Sequence, residues 1–161
     1  MKWQRSSRRC EGLAGRAVSV LVLDANILIR AVLGQRLRSL LIQYGGTVQF
    51  LVPESAVAEA REHLPRILIQ RRIRVEAGLE VLNSLSAILD AISTDSISGF
   101  EVAARQRLAQ RDPDDWPVLA TALAFRSGVW TEDSDFFGTG VATWTTANVE
   151  LFLKNVEYPE K

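Results

Sequence analysis

Val18-Ser19-Val20-Leu21-Val22-Leu23-Asp24 is the stretch that decides the fold. An apolar run without polar alternation suits a strand buried on both faces, the habit of parallel sheets. A carboxylate closes it at its carboxyl end. Ile27, Leu28, Ala31 and Val32 follow at helical spacing, so the strand leads straight into a helix. The same order returns downstream. Thr47 to Val52 is β-branched and apolar, and Pro53 then sits where the first turn of a helix tolerates it. Ala56, Val57, Ala60 and Leu64 mark that helix's apolar stripe. Val129 to Thr131 and Val141 to Trp144 are short strand candidates separated by the Gly138-Thr139-Gly140 turn. Strands alternating with helices predict an α/β domain with a mainly parallel sheet.

The segments between are helical. Leu37, Leu40, Leu41 and Tyr44 form a periodic set that stops at Gly45-Gly46. From Pro65 to about Leu89 the apolar positions Ile67, Leu68, Ile73, Leu79, Leu82 and Leu85 fit one long helix or a helical hairpin, with Gly78 the weak point. Ile88 to Ile92 reads equally as a helix end or a short strand. Gly99 to Arg111, Asp114 to Arg126 and Thr146 to Lys154 are the remaining helices, the second ending near Gly128. We divide the chain into a basic tail over 1–17, a single domain over 18–155 and a short tail over 156–161.

With 161 residues, 47% of them hydrophobic, one domain can bury a substantial core. Nineteen acidic residues balance nineteen basic ones, so net charge selects no partner. Among the basic residues only Lys2, Lys154 and Lys161 are lysine. Arginine is the better bidentate phosphate ligand, which suits a nucleic-acid substrate, although an arginine-rich proteome accounts for it equally. Cys10 is alone, so no disulfide framework exists and a reducing, cytoplasmic setting is expected. No apolar stretch approaches the roughly 18 residues of a membrane span. Lys2, Arg5, Arg8, Arg9 and Arg16 lack the apolar core of a secretory signal.

Acids mark one edge of the predicted sheet. Asp24 closes the first strand, Glu59 lies on the helix after the second, Asp114-Asp115 open a later helix, and Asp133 and Asp135 follow Gly128-Val129-Trp130-Thr131. Ligands of open parallel sheets bind at the carboxyl ends of the strands. Carboxylates gathered there repel one another unless a cation neutralises them, and Mg²⁺ or Mn²⁺ prefers an all-oxygen set. Each acid also has a plainer role. Asp24 suits a helix N-cap with Asn26 stabilising the turn, and Asp114 or Asp115 suits the cap of the helix whose first turn holds Pro117. Asp133 and Asp135 fit ordinary loop acids, and Thr131 a final strand residue. Trp116, Trp130 and Trp144 read as core.

These residues resemble a known family. Leu23-Asp24-Ala25-Asn26-Ile27-Leu28 looks like the opening motif of PIN-domain nucleases, and Pro53-x5-Glu59 is similar to their second acid. Asp115-Trp116-Pro117-Val118-Leu119-Ala120-Thr121-Ala122-Leu123 resembles their third motif, and Thr131-Glu132-Asp133-Ser134-Asp135-Phe136 their fourth. The resemblance spans roughly Val18 to Phe152. It implies a three-layer α/β/α sandwich and a Mg²⁺- or Mn²⁺-dependent phosphodiesterase that cuts RNA. Many small bacterial members are VapC-type toxins held inactive by an antitoxin. It assigns catalysis to Asp24, Glu59, Asp115 and Asp133, metal binding to these plus Asp135, and supporting roles to Asn26, Thr131 and Asp114. Two features depart from the pattern. Asp112 and Asp114 crowd Asp115, leaving the ligand choice between Asp114 and Asp115 open. Arg71, Arg72 and Arg74 sit between the second and third motifs, either as a solvated helix face or as an RNA-backbone contact. The resemblance and the apolar middle helices both suggest a homodimer.

Other acid-based readings fare worse. A phosphoryl-receiver domain needs a late lysine, and none lies between Lys2 and Lys154. A haloacid-dehalogenase-type phosphatase wants a second acid where Asn26 stands. A P-loop would need G-x-x-x-x-G-K, which is absent. The rival from a different class is a PIN-like RNA-binding or assembly module with a vestigial site.

Overall fold

The computed structural model describes residues 18–158, so the basic tail over 1–17, Cys10 included, lies outside the described residues. A five-stranded sheet, wholly parallel, runs in the order β3-β2-β1-β4-β5, formed by β1 (Ser19–Leu23), β2 (Val48–Pro53), β3 (Leu89–Ile92), β4 (Gly128–Trp130) and β5 (Thr143–Trp144). The opening apolar run is the middle strand. Leu21, Val22 and Leu23 are fully buried because strands and helices enclose them on every side. The connections are α1 (Ala25–Leu33), α2 (Gln35–Tyr44), α3 (Glu54–Gln70), α4 (Val75–Leu85), α5 (Thr94–Ile97), α6 (Glu101–Arg107), α7 (Trp116–Phe125) and α8 (Val149–Glu157). Helices α1 to α4 pack on one another, while α7 lies against β1, β2 and β4 and carries α5 and α6. The result is the expected α/β/α sandwich.

Several boundaries differ from the sequence expectation, each for a local reason. Pro65 does not begin a new helix but sits inside α3. It is only partly buried, while Ala56, Val57, Ala60, Leu64 and Leu68 continue one stripe across it, so core packing outweighs the missing N–H. The hairpin break falls at Arg71–Arg74, where Arg72 takes a left-handed conformation (φ 57°), and not at Gly78. Gly78 is buried within α4, and a Cβ there would stand 2.4 Å from Leu68 Cδ1. It lets two helices approach; it does not separate them.

Within residues 88–92, Leu89 to Ile92 resolve as a strand because Phe50 to Pro53 pair with them, and Ile88 belongs to the preceding turn. The expected helix over 99–111 is the end of a 3₁₀ turn at Ser98–Phe100 and then α6, which stops at Arg107; the short α5 precedes it. Helix α7 stops at Arg126, left-handed at φ 50°, so Gly128 opens β4 and does not cap the helix. The fifth strand keeps only Thr143 and Trp144 of the four residues expected. The last helix starts at Val149, three residues late, because the Thr145 amide is held by the Asn148 side chain and the Thr146 amide by Glu132. It runs to Glu157, past the expected domain end.

Candidate active site

The strand order reverses between β1 and β4, and there the carboxyl ends leave the crevice where open sheets bind ligands. Asp24 stands at that point. Its extended backbone caps α1, and one carboxylate oxygen accepts from the Ala25 amide at 2.6 Å. The other accepts from the Thr131 hydroxyl at 2.7 Å and from Asn26 Nδ2 at 2.8 Å. Thr131 Oγ1 in turn accepts from the Asp133 amide at 2.9 Å, and Asn26 Oδ1 from the Glu132 amide at 3.2 Å. The Asp24 amide donates to the Trp130 carbonyl, which locks the two strand ends together. Cap and site component are thus compatible roles. Thr131 and Asn26 have fixed tasks: both orient Asp24 and tie it to the turn that follows β4.

That turn and the one before α7 bring acids together. The carboxylate oxygens of Asp115, Asp133 and Asp135 lie within 4.8 Å of one another. Asp133 caps its own 3₁₀ turn by accepting from the Asp135 amide at 2.9 Å. Burial, then the charges of Asp24, Asp112, Asp133 and Glu59, push the Asp115 carboxyl up to about 7. Burial also raises Asp24, outweighing its hydrogen bonds, with Asp133 adding to the rise. Glu59, on the exposed flank of α3, is raised by desolvation and then by Asp24. One field of negative charge therefore spans four segments far apart in sequence.

The remaining expected residues are placed elsewhere. Asp114 is 93% exposed and faces Arg105 at 3.7 Å, turned away from the three clustered acids. Arg71, Arg72 and Arg74 lie exposed at the far end of α3. At 1.5 Å per helical residue, Arg71 is about 18 Å along the axis from Glu59. Trp130 is fully buried and Trp116 nearly so, whereas Trp144 is half-buried against Phe152. Asp112 is the contributor beyond the expected set. Its side chain caps the turn bearing Asp115, and its charge acts on both Glu59 and Asp115. The signal for it was Asp-Pro, an extended cap followed by a proline in the first turn.

A sequence profile of the PIN domain matches residues 22–154, from the end of β1 into α8. The chain belongs to the PIN domain family. A comparison with curated proteins gave no significant match. Among solved structures, PAE2754 from Pyrobaculum aerophilum superposes with a TM-score of 0.64 at 15% identity, covering 90% of this chain and 94% of its own. The crystal structure of VapBC2 from Rickettsia felis, bound to a DNA fragment from their promoter, gives 0.62 at 14%, covering 78% and 98%. A toxin–antitoxin complex from Klebsiella pneumoniae gives 0.53 at 22%, covering 73% and 91%. These likenesses establish the shared PIN fold, and the acids sit at the carboxyl edge of its sheet. Among the described residues no helix is long and apolar enough to cross a membrane.

The donor set fits a hard divalent cation. Three carboxylates converge, and burial, then repulsion from the neighbouring acids that such a cation would relieve, raises the Asp115 carboxyl to about 7. The repulsion has a consequence for stability. A raised carboxyl means the folded chain holds its proton more tightly than the unfolded chain, so the contribution is complete below about pH 3.8 and is lost as pH climbs to about 7. Asp115 is partly exposed, so solvent screening reduces the effect to about 1 kcal/mol. Without divalent cation, Tm should fall by about 2–4 °C between about pH 4 and about pH 8. Asp115→Asn should remove most of that fall, and an equal fall in the variant would clear Asp115 as its cause.

Proposed function

We propose that this PIN domain is an endoribonuclease, the toxin of a toxin–antitoxin pair, and that it uses Mg²⁺ or Mn²⁺ held by Asp24, Glu59, Asp115, Asp133 and Asp135. The convergence of Asp115, Asp133 and Asp135 within 4.8 Å carries the reading. A divalent ion bound there would neutralise the phosphate, lower the pKa of a bound water and stabilise the leaving oxygen. The chain's own residues prepare that arrangement. Asp24, Asp115 and Asp133 supply charge, Thr131 and Asn26 fix the direction of Asp24, and Asp112 steadies the turn bearing Asp115. No histidine is required, and His63 lies exposed on α3.

The toxin reading draws support from the VapBC and toxin–antitoxin structures that share the fold. An antitoxin protein is the expected partner, RNA the substrate, a homodimer the working form and the cytoplasm its location. Protein freed of any bound partner should cut RNA with Mg²⁺ or Mn²⁺ and stop on addition of excess EDTA. Folded protein that leaves several RNA substrates intact under those conditions would favour a non-catalytic RNA-binding or assembly module.

A further inference from the structure

Two adjacent residues behind the acids hold both acid-bearing turns. Asp112 caps the turn of Asp115 through the Asp114 amide at 3.0 Å. Arg111 points the other way. Its guanidinium donates to the carbonyls of Ser134 at 3.4 Å, Asp135 and Phe137, the backbone of the turn that presents Asp133 and Asp135. Among the described residues, backbone carbonyls are the only polar partners of its side chain, and it forms no ion pair within 4.0 Å. One guanidinium nitrogen, Nη1, gathers these carbonyls of one turn.

The base of this clamp is firm. The Arg111 amide donates to the carbonyl of Leu108 at 2.9 Å, and Leu108 and Ala104 are fully buried. Arg107, one helical turn earlier, donates to the Thr139 carbonyl at 2.9 Å. Gly138 and Gly140, both at positive φ, let the loop curve over these two arginines. A Cβ on Gly140 would lie 3.1 Å from Arg107 Nη1, closer than the neighbouring groups comfortably allow. On the other side Arg105 stacks over Trp116 and reaches the Pro113 carbonyl at 3.4 Å. Helix α6 and the turn after it therefore bridge the loops on either side of the acid cluster.

We propose that Arg111 is a positioning residue: by fixing the turn over 134–137 it sets the separation between Asp115 and the Asp133–Asp135 pair. The inference rests on the metal-site reading above. Outer partners that orient metal ligands typically contribute 10–100-fold in affinity or activity. In EDTA-stripped protein titrated calorimetrically with Mn²⁺, Arg111→Ala should lower affinity about 10-fold with the far-ultraviolet circular dichroism unchanged. Cleavage should lose kcat with KM for RNA nearly constant, and Arg111→Lys should recover part of both. Unchanged Mn²⁺ affinity with a raised KM would make Arg111 an RNA contact and overturn the proposal. Unchanged values throughout would overturn it equally. Should the alanine variant not fold, Arg111→Met, which keeps the apolar stem and removes the donors, carries the test, and wild-type Mn²⁺ affinity there would contradict the proposal. Failure of the wild-type protein itself to bind Mn²⁺ would instead count against the metal site.

Discussion

Asp115→Asn is expected to lower metal-dependent RNA cleavage by about two orders of magnitude while raising the melting temperature of the metal-free protein at about pH 8. The two effects have one origin. Asp115 lies partly buried among Asp24, Asp112, Asp133 and Glu59, and that burial, then the surrounding charge, lifts its pKa to about 7. Removing its charge relieves repulsion in the cation-free fold. It also deletes a carboxylate from the set of three that converge within 4.8 Å. A metal ion held there would supply several kcal/mol of charge stabilisation, and about 3 kcal/mol corresponds to roughly 100-fold in rate. A structural acid would behave in the opposite way, with stability falling and cleavage per folded molecule unchanged. That opposite pattern, read from melting curves and single-turnover rates, would contradict the account.

Glu59→Gln and Glu62→Gln form the second pair. Both acids are exposed residues of α3, three positions apart and hence only about 60° apart around the helix, one turn along its axis. The charge of Asp24 acts directly on Glu59, second only to desolvation, which places Glu59 at the rim nearest the strand edge. Glutamine keeps the shape and removes only the charge. Glu59→Gln should reduce cleavage at least about 10-fold and weaken Mn²⁺ binding with the fold intact. Glu62→Gln should change stability by no more than about 0.5 kcal/mol and leave cleavage near wild type. Equal losses in both variants, or loss only in Glu62→Gln, would show that the wrong acid of α3 had been assigned.

Elements whose burial pattern is local were legible in the amino-acid sequence. The run ending at Leu23 is apolar at nearly every position because β1 is the middle strand, enclosed on both faces, and Asp24 announces both its end and the cap of α1. Elements defined by distant partners were not. β3 becomes a strand only through its pairing with β2, and no period in four residues could decide it. Pro65 suggested a break because local propensity cannot see that Leu64 and Leu68 are held by the core on both sides of it. Asp114 and Asp115 are parted by rotation within a 3₁₀ turn, which sends Asp114 to Arg105 and leaves Asp115 among the acids, a placement no sequence pattern specifies. Arg111 carried no sequence signal, because its partners are main-chain carbonyls that any residues could supply.

The central claim is that the acid edge holds a divalent cation, and direct titration of Mn²⁺ into EDTA-stripped protein tests it without reference to any substrate. Wild-type protein should show saturable binding that Asp115→Asn weakens at least about 10-fold, with both proteins folded by circular dichroism. No saturable binding by folded wild-type protein, or equal affinity in the variant, would contradict the account.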